Sequence, residues 1–228
     1  MFNLDLSIII PCLNESENLK KLIPKIKFHI GKKFSYEILI IDGISKDKKT
    51  LKIIKKNNIK YLNRKKNNDY GSAVRLGIKK SLGKYILFMD GDHSHDPKFI
   101  LKLYNMRNND VVIASRYIRG GNSDNTLILK FLSKLLNLFY NIVLNLNLKD
   151  VSNSFKLYNG KKIKKLKLNC NHFDIIEEII FKFKLNNKDS IFKEIPYHFR
   201  QRKHGKTKRN LIVIFAYLFS ILKLRFMR

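Results

Sequence analysis

The sequence contains only two cysteines, Cys12 and Cys170. Two thiols cannot build the disulfide network of a small secreted domain, and such scarcity is typical of a protein in a reducing compartment. Their separation also does not match the ligand spacing of a zinc site. The sequence therefore excludes a disulfide scaffold. Its 228 residues, 44% of them hydrophobic, predict a globular chain with a core of its own.

Acidic residues are also scarce. The chain has 18 aspartates and glutamates against 47 lysines and arginines, which gives a net charge of +29. Three explanations compete: binding to nucleic acid, attraction to an anionic membrane surface, or lysines spread generally over solvated faces. The lysines are scattered, and no zinc-finger or RNA-binding aromatic pattern accompanies them. We therefore expect no nucleic-acid partner, and charge alone does not decide between the other two explanations.

No apolar run reaches the roughly 20 residues that a membrane-spanning helix needs. Residues 211–222 are apolar, but Lys223, Arg225 and Arg228 follow, which predicts an interfacial anchor or a helix packed on the domain. Residues 125–146 have a helical pattern with a polar stripe. The stripe predicts a helix that lies against a membrane or packs on the domain. Residues 1–11 do not match a secretory signal peptide.

Short apolar runs alternate with amphipathic stretches in the first half, a pattern typical of an α/β domain with a parallel sheet. The predicted strands cover residues 6–10, 36–41, 59–62, 84–89 and 111–114. The predicted helices are 14–30, opened by the capping pair Asn14 and Glu17 and kinked at Pro24; 72–82, closed by Gly83; and 97–107, opened by Asp96 and Pro97.

Acidic residues follow two of these predicted strands directly. Asp42 ends the second strand, and Asp90-Gly91-Asp92 follows the fourth. In an open parallel sheet, ligands bind beyond the carboxyl ends of the strands, so we expect these side chains to face a cleft. Two carboxylates separated by one glycine can bind a hard divalent cation that keeps waters and substrate phosphates as its other ligands. The sequence therefore predicts an Mg²⁺ or Mn²⁺ site.

A series of motifs in one order resembles the family-2 glycosyltransferases, and the form of the metal motif is typical of their dolichyl-phosphate mannose synthases. The matching segments are Ser7–Glu15, Ile40–Asp47, Gly71–Ala73 with Gly77 and Gly83, Asp90–Pro97, Ser115–Tyr117 with Gly120 and Gly121, Asp150 with Ser154–Lys156, Glu194–Pro196, and Arg202 with Gly205, Thr207 and Lys208. Together these segments extend over residues 7–208.

The resemblance implies a GT-A fold, meaning an open, mostly parallel twisted sheet that binds a nucleotide sugar between flanking helices, with apolar amphipathic helices in the second half. It also implies roles for individual residues. The implied donor-binding residues are Pro11, Asn14, Glu15, Asp42, Asp90 and Lys208. The implied metal ligands are Asp90, Asp92 and Ser94. The implied catalytic residues are Asp92, Arg116 and Arg202, with both arginines binding phosphate groups.

Three positions depart from the family pattern. Gly43 stands where a second carboxylate is usual, Ile44 replaces the following glycine, and Lys156 replaces a frequent arginine. His93 and His95 lie in the metal loop, but a cation that bridges a diphosphate prefers oxygen ligands. We therefore expect the two histidines to support the site rather than bind the metal.

The resemblance predicts a single catalytic domain over residues 1–210, followed by a tail at 211–228. Residues 1–120 would bind the nucleotide sugar and metal, and residues 121–210 the acceptor. A phosphate monoester is largely dianionic at neutral pH and needs no general base, and the second half offers basic motifs and apolar helices.

These features predict inverting sugar transfer to a dolichyl or polyprenyl phosphate, and the resemblance implies GDP-mannose as the donor. The expected location is the cytoplasmic face of a membrane, bound peripherally. The first alternative is a hydroxyl acceptor in polysaccharide or glycan synthesis, with Glu177 or Glu178 as the base. A more remote alternative is a basic nucleic-acid-binding protein, which would have no use for Asp90-Gly91-Asp92.

Overall fold

The computed structural model describes residues 3–45, 59–64, 68–201, 221–222 and 224–226. In chain order the elements are β1 (Leu4–Cys12), α1 (Ser16–Ile30), β2 (Tyr36–Asp42), β3 (Lys60–Asn63), α2 (Tyr70–Lys80), β4 (Gly83–Phe88), a 3-10 turn (Pro97–Phe99), α3 (Ile100–Asn105), β5 (Val111–Ser115), β6 (Asn122–Ser123), α4 (Leu127–Leu144), β7 (Lys156–Asn159), α5 (Gly160–Ile163), α6 (Ile175–Asn186), β8 (Phe192–Pro196) and β9 (His198–Phe199).

Seven strands form one twisted sheet in the order β3-β2-β1-β4-β7-β5-β8. Strand β7 pairs antiparallel with both of its neighbours, and the other described pairings in this sheet are parallel. Strands β6 and β9 form a small second sheet. The prediction of an open, mostly parallel sheet flanked by helices is confirmed.

Strand β1 lies inside the sheet, between β2 and β4, and its side chains are apolar on both faces. Ile9 points into one buried cluster together with residues of α2 and α6. Ile8 and Ile10 point into the other, which includes residues of α1. Alternating side chains along a strand point to opposite faces, so a continuous isoleucine run requires cover on both sides. This double cover fixes the strand ends at one edge of the sheet.

Two predicted helix boundaries are wrong. Asn14 does not cap α1, because it has a left-handed backbone (φ 58°) and its N–H donates to Ser45 Oγ. The helix begins at Ser16 and ends at Ile30, as predicted, without interruption at Pro24. Helix α2 ends at Lys80, and Gly83 is the first residue of β4 rather than a helix stop.

The Asp96-Pro97 start signal is confirmed. The Asp96 side chain accepts a hydrogen bond from the backbone N–H of Lys98, and Pro97 opens the 3-10 turn that leads into α3.

The second half of the chain completes the sheet begun by the first. Strand β7 lies between β4 and β5, and β8 pairs with the other side of β5. Neither strand was predicted, since each is short and has no strict alternation of apolar and polar residues. Strands from both halves of the chain therefore share one sheet.

Helix α4 has the reverse of the usual polarity for a helix on a domain surface. Asn137 is 2% exposed and faces the protein, whereas Phe131 is 67% and Ile142 72% exposed. Thr126 caps its start, and Asn145 ends it in the left-handed region. In the described part of the chain, α4 is the one helix long and apolar enough to cross a membrane. The asparagines of its polar stripe, Asn137 and Asn141, bind the loop before β7, while Lys134 of the same stripe is exposed.

Two residues of the C-terminal tail contact the domain. Ile221 and Leu224 are buried in the same apolar cluster as Ile9. This packing fits the domain-packed alternative for these residues, while most of 211–228 lies outside the described residues.

Gly83 is required by the close approach of β4 to β1. A Cβ at this position would lie 2.3 Å from Ser7 N and 2.6 Å from Leu6 C. We expect Gly83→Ala to lower the free energy of unfolding by about 1–3 kcal/mol, the usual cost of overpacking. Gly91→Ala, three residues beyond the end of β4, is the control, because its Cβ would come no closer than 3.4 Å to a neighbour. Urea unfolding of both variants tests this, and equal stabilities would contradict it.

Candidate active site

Asp42 ends β2 and is buried. Tyr61 O–H donates to its Oδ2 over 2.7 Å and Ser45 Oγ donates to its Oδ1 over 2.5 Å. Burial, together with the Asp42 charge, raises the pKa of Tyr61 to about 12, so the tyrosine remains a donor. The two hydroxyls hold the carboxylate at the sheet edge, where the sequence predicted contact with the donor.

The missing carboxylate next to Asp42 is replaced by a group from another loop. A Cβ on Gly43 would lie 2.5 Å from Asn68 Oδ1 and 3.4 Å from Arg64 Nη2. Asn68 Oδ1 instead accepts the backbone N–H of Ile44. Sequence reasoning missed Asn68 and Arg64, since no motif marks them and only the fold brings them beside Gly43. An amide and a cation therefore lie beside Gly43, where the resemblance led us to expect a second carboxylate.

Asp90 follows β4, and its side chain is 30% exposed, which leaves part of the carboxylate open. On the protein side, Ser154 Oγ lies 3.1 Å from both of its carboxylate oxygens. The backbone N–H of Asp90 donates to His95 Nδ1 over 2.9 Å. Ser154 and His95 therefore fix the side chain and the backbone of Asp90 from two directions.

The ring of His95 is neutral and serves as a support. Asn153 Nδ2 donates to the carbonyl of Ala114, so Asn153 Oδ1 is the acceptor that faces His95 Nε2, 3.2 Å away. His95 therefore carries its proton on Nε2 and accepts at Nδ1. Burial lowers the pKa of His95 and outweighs the nearby aspartate charges. With both nitrogens engaged, this side chain is not available to a metal.

Asp92 forms a tight turn with Ser94. The backbone N–H and the Oγ of Ser94 both donate to Asp92 Oδ1, at 3.0 and 2.6 Å. The chain can make this turn because His93, between them, adopts a positive φ of 68°. Ser94, predicted as a metal ligand, here orients Asp92, and its contact with an ion stays a prediction.

The two carboxylates fit a divalent ion that shares its shell with a diphosphate. The described residues contain no group of three His, Cys, Asp or Glu side chains that could enclose a metal alone. Mg²⁺ is usually bound by one or two carboxylates together with substrate phosphates and waters. Asp90 and Asp92 offer hard oxygen ligands next to an open side, so the predicted Mg²⁺ or Mn²⁺ site agrees with the chemistry of the residues present.

Arg116 is buried in an ion pair. Its Nε and Nη2 donate to the two carboxylate oxygens of Asp150 at 2.8 and 2.7 Å, and Nη2 also donates to Ser152 Oγ. Burial raises the pKa of Asp150, but the charge and hydrogen bonds of Arg116 outweigh it and bring the pKa below its ordinary value. Nε and Nη2 of Arg116 are thus committed to Asp150, and its contact with a substrate phosphate stays a prediction.

Lys156 is fully buried beneath this pair. Its Nζ donates to the backbone carbonyls of Val151, over 2.7 Å, and Asn153. Burial lowers the pKa of Lys156 to about 8, although the charges of Asp150 and Glu177 act in the opposite direction. The lysine thus ties β7 to the loop that precedes it.

The two candidate bases, Glu177 and Glu178, are both buried, each near different charged groups. Glu178 is fully buried, and its carboxylate accepts the backbone N–H groups of Asn169 and Cys170 and pairs with Lys182. Glu177 is also buried, within electrostatic range of Lys156 and Arg116. Neither glutamate presents an open carboxylate at the sheet edge.

The remaining predicted residues divide into two groups. Pro11 lies in β1, and Asn14 and Glu15 form the turn into α1, with Glu15 Oε2 accepting from Asn18. These three are at the same sheet edge as Asp42. Arg202 and Lys208, predicted to bind phosphates, lie outside the described residues.

Comparison with known proteins agrees with this arrangement. The family described as "Glycosyl transferase family 2" matches residues 7–167. The chain is 33% identical over 226 residues to "Dolichol-phosphate mannosyltransferase" from Pyrococcus furiosus, covering 96% of this chain and 63% of the relative. It is 33% identical over 190 residues to "Dolichyl-phosphate beta-glucosyltransferase" from Dictyostelium discoideum, covering 72% of this chain and 57% of that protein. The chain thus covers less than two thirds of either relative.

A solved structure has the same fold. Glucosyl-3-phosphoglycerate synthase from Mycobacterium tuberculosis, in complex with Mn²⁺, UDP and glucosyl-3-phosphoglycerate, superposes with a TM-score of 0.73 at 13% identity. The match covers 97% of this chain and 78% of that one. At this identity the likeness concerns the fold, which is that of the GT-A glycosyltransferases.

The Arg116–Asp150 pair makes a testable contribution to stability. Arg116→Met leaves the Asp150 carboxylate buried without its partner, so we expect the free energy of unfolding to fall by about 3–5 kcal/mol. The double variant Arg116→Met, Asp150→Asn removes the orphaned charge and keeps an acceptor oxygen for the neighbouring backbone N–H groups. We expect it to lose clearly less than the single variant in urea unfolding. A double variant less stable than Arg116→Met would contradict this role.

Proposed function

The chain belongs to the family-2 glycosyltransferases, and from this membership we propose that it transfers a sugar from a nucleotide sugar to a polyprenyl phosphate at a membrane surface. Both curated relatives described above are named for transfer involving a dolichyl phosphate, one of mannose and one of glucose. GDP-mannose is the first donor to test, because the metal motif has the form typical of the mannose synthases.

The observation that carries the proposal is the reversed polarity of α4. Its asparagines bind the loop before β7, while an apolar face remains on the outside. Exposed apolar patches of this kind are typical of protein or membrane contacts. A helix with one side bonded to the protein and the other apolar suits the surface of a bilayer, and the net charge of +29 favours an anionic one.

The glutamates support a phosphate acceptor over a hydroxyl acceptor. A hydroxyl needs a carboxylate base within hydrogen-bond reach, whereas a phosphate monoester is already charged at neutral pH. Glu178 is committed to two backbone N–H groups and Lys182, and Glu177 lies in the buried charge cluster. Among the described residues, these two predicted candidates therefore offer no accessible base for deprotonating a sugar hydroxyl.

The reaction would depend on positioning and charge neutralisation. Asp42 would accept hydrogen bonds from the nucleoside. Asp90 and Asp92 would hold Mg²⁺ or Mn²⁺, which supplies positive charge to the departing nucleoside diphosphate. Arg202 and Lys208 are proposed to bind phosphate groups. Substrate held in line between these groups needs no further acid–base catalyst, because orientation and electrostatics supply the acceleration.

Acceptor and donor are tested together. We expect purified protein with Mg²⁺ or Mn²⁺ to transfer labelled sugar to polyprenyl phosphate but not to the matching polyprenol, with GDP-mannose preferred over UDP-glucose. Asp92→Asn removes a metal ligand and should reduce the initial rate at least about 10²-fold, as expected when electrostatic stabilisation of the leaving group is lost. Glu178→Gln is a comparison variant for the hydroxyl-acceptor alternative, and its folding is checked by circular dichroism.

Transfer to the alcohol would favour that alternative, as would loss of activity in folded Glu178→Gln or Glu177→Gln with Asp92→Asn still active. Preference for UDP-glucose would leave the acceptor class unchanged and correct only the donor. Asn68 and Arg64 lie beside Gly43, where a second carboxylate was expected. Asn68→Asp places a carboxylate there and therefore tests whether this position influences the choice of nucleotide base.

Membrane contact through α4 is tested separately. The triple variant Phe131→Ser, Leu138→Ser, Ile142→Ser removes three exposed apolar side chains. Since each is worth about 1.5–3 kcal/mol when fully buried, we expect binding to anionic vesicles to weaken more than ten-fold. Phe28→Ser, which removes an even more exposed phenylalanine from α1, should have no such effect.

Flotation of vesicles at low and high salt measures both contributions to membrane binding. Salt should weaken the attachment, because the attraction of basic residues is screened. Equal binding by the triple variant and wild type would rule out α4 as the contact.

A further inference from the structure

Residues 150–154, in the loop between α4 and β7, bind three polar side chains around the metal motif. Asp150 and Ser152 hold Arg116, and Asn153 holds His95. Ser154 holds Asp90 itself. No motif reasoning assigned a function to Ser154 beyond its place in a matched segment. Its hydroxyl is the group of this loop that touches a proposed metal ligand.

The position of Ser154 is fixed by the residues on either side of it. Lys156 Nζ binds the carbonyls of Val151 and Asn153, and Asn153 Oδ1 accepts the backbone N–H of Phe155. On the α4 side, Asn137 Oδ1 accepts the backbone N–H groups of Val151 and Ser152 at 2.7 and 3.0 Å. A side chain on a loop held at so many points has little freedom to move away from Asp90.

The contact itself has a particular geometry. Ser154 Oγ is 3.1 Å from Asp90 Oδ1 and 3.1 Å from Oδ2, and it lies on the buried side of the carboxylate. A hydroxyl has one hydrogen to donate, so it satisfies one carboxylate oxygen at a time. The carboxylate therefore keeps acceptor capacity for a ligand on its exposed side.

We propose that Ser154 is a positioning residue that orients the Asp90 carboxylate for a divalent metal ion. The proposal rests on the proposed function only in that Asp90 binds a metal, and it does not depend on the acceptor. Partners of metal ligands fix the ligand's orientation, and their removal commonly costs 10–100-fold in metal affinity. The hydroxyl of Ser154 is therefore expected to contribute directly to metal affinity.

The test uses Mn²⁺ as the probe, alone and with GDP or UDP, and measures free Mn²⁺ by electron paramagnetic resonance. Ser154→Thr and Ser154→Val have side chains of nearly the same shape and differ in the hydroxyl. We expect Ser154→Val and Ser154→Ala to bind Mn²⁺ at least about ten-fold more weakly than wild type. Ser154→Thr should stay within a few-fold of wild type.

The matched control is Ser81→Ala, which removes a buried hydroxyl bonded to the Ile78 carbonyl near the start of β4, the strand whose other end leads to Asp90. It should leave Mn²⁺ affinity unchanged. Thermal unfolding of all variants separates metal affinity from stability. A role limited to folding would lower the melting temperature without a change in the Mn²⁺ affinity of the folded fraction.

Three outcomes would overturn the proposal: unchanged or tighter Mn²⁺ binding by folded Ser154→Val, equal weakening by Ser154→Thr and Ser154→Val, or no Mn²⁺ binding by wild type. If Ser154→Ala fails to fold, the threonine and valine pair still decides. Failure of sugar transfer to polyprenyl phosphate, with these affinities as expected, would instead overturn only the proposed acceptor.

Discussion

The buried ion pair between Arg116 and Asp150 holds together the parts of the chain that form the site. Arg116 follows β5, and Asp150 lies in the loop that leads into β7. Asp150 also accepts the backbone N–H groups of Arg116 and Asn153, while its own N–H donates to Glu194 of β8. The residue after β5, the loop before β7, and β8 are far apart in sequence and thus meet at Asp150. Two charges this deeply buried are tolerated because the geometry is bidentate and further hydrogen bonds complete it.

Two other matched motifs, the segment 194–196 and Lys156, bind the loop that carries Asp150. Glu194 receives the N–H groups of Lys149 and Asp150, so the segment 194–196 anchors the loop before β7 to the edge of the sheet. Lys156 fixes the same loop from below through two carbonyls. An arginine at that position could do the same with its fork of donors. The lysine fixes the loop with a single ammonium group.

Helix α4 connects this buried network to the outside of the molecule. Asn137 and Asn141 bind the loop 148–152 through their amides, so these two polar side chains face the protein. The side that remains is apolar and exposed. A helix that packs through asparagines and presents leucine, isoleucine and phenylalanine outward would be poorly suited to water, and it places an apolar surface next to the loop that supports the metal motif.

Local pattern was enough for the first half of the fold. The isoleucine run of β1 and the Asp96-Pro97 start signal act within a few residues, and the edge position of Asp42, Asp90 and Asp92 follows from parallel strand ends. The ordered motifs indicate the family by themselves. The two wrong boundaries, at Asn14 and Gly83, have non-local causes. The backbone N–H of Asn14 donates to Ser45 at the sheet edge. Gly83 is required because the backbone of β1 leaves no room for a Cβ.

Tertiary structure alone decided how the candidate site is supported. Nothing in the sequence places Ser154 on Asp90, Asn68 beside Gly43, or Asp150 on Arg116. These pairs lie tens of residues apart, and their energies depend on burial, which only the folded chain creates. The same holds for the polarity of α4, since a periodic stripe gives the angle between polar and apolar faces but not which of them the domain covers. The asparagine side faces the domain because buried backbone N–H groups of the loop 148–152 need hydrogen-bond acceptors, and the asparagines supply them.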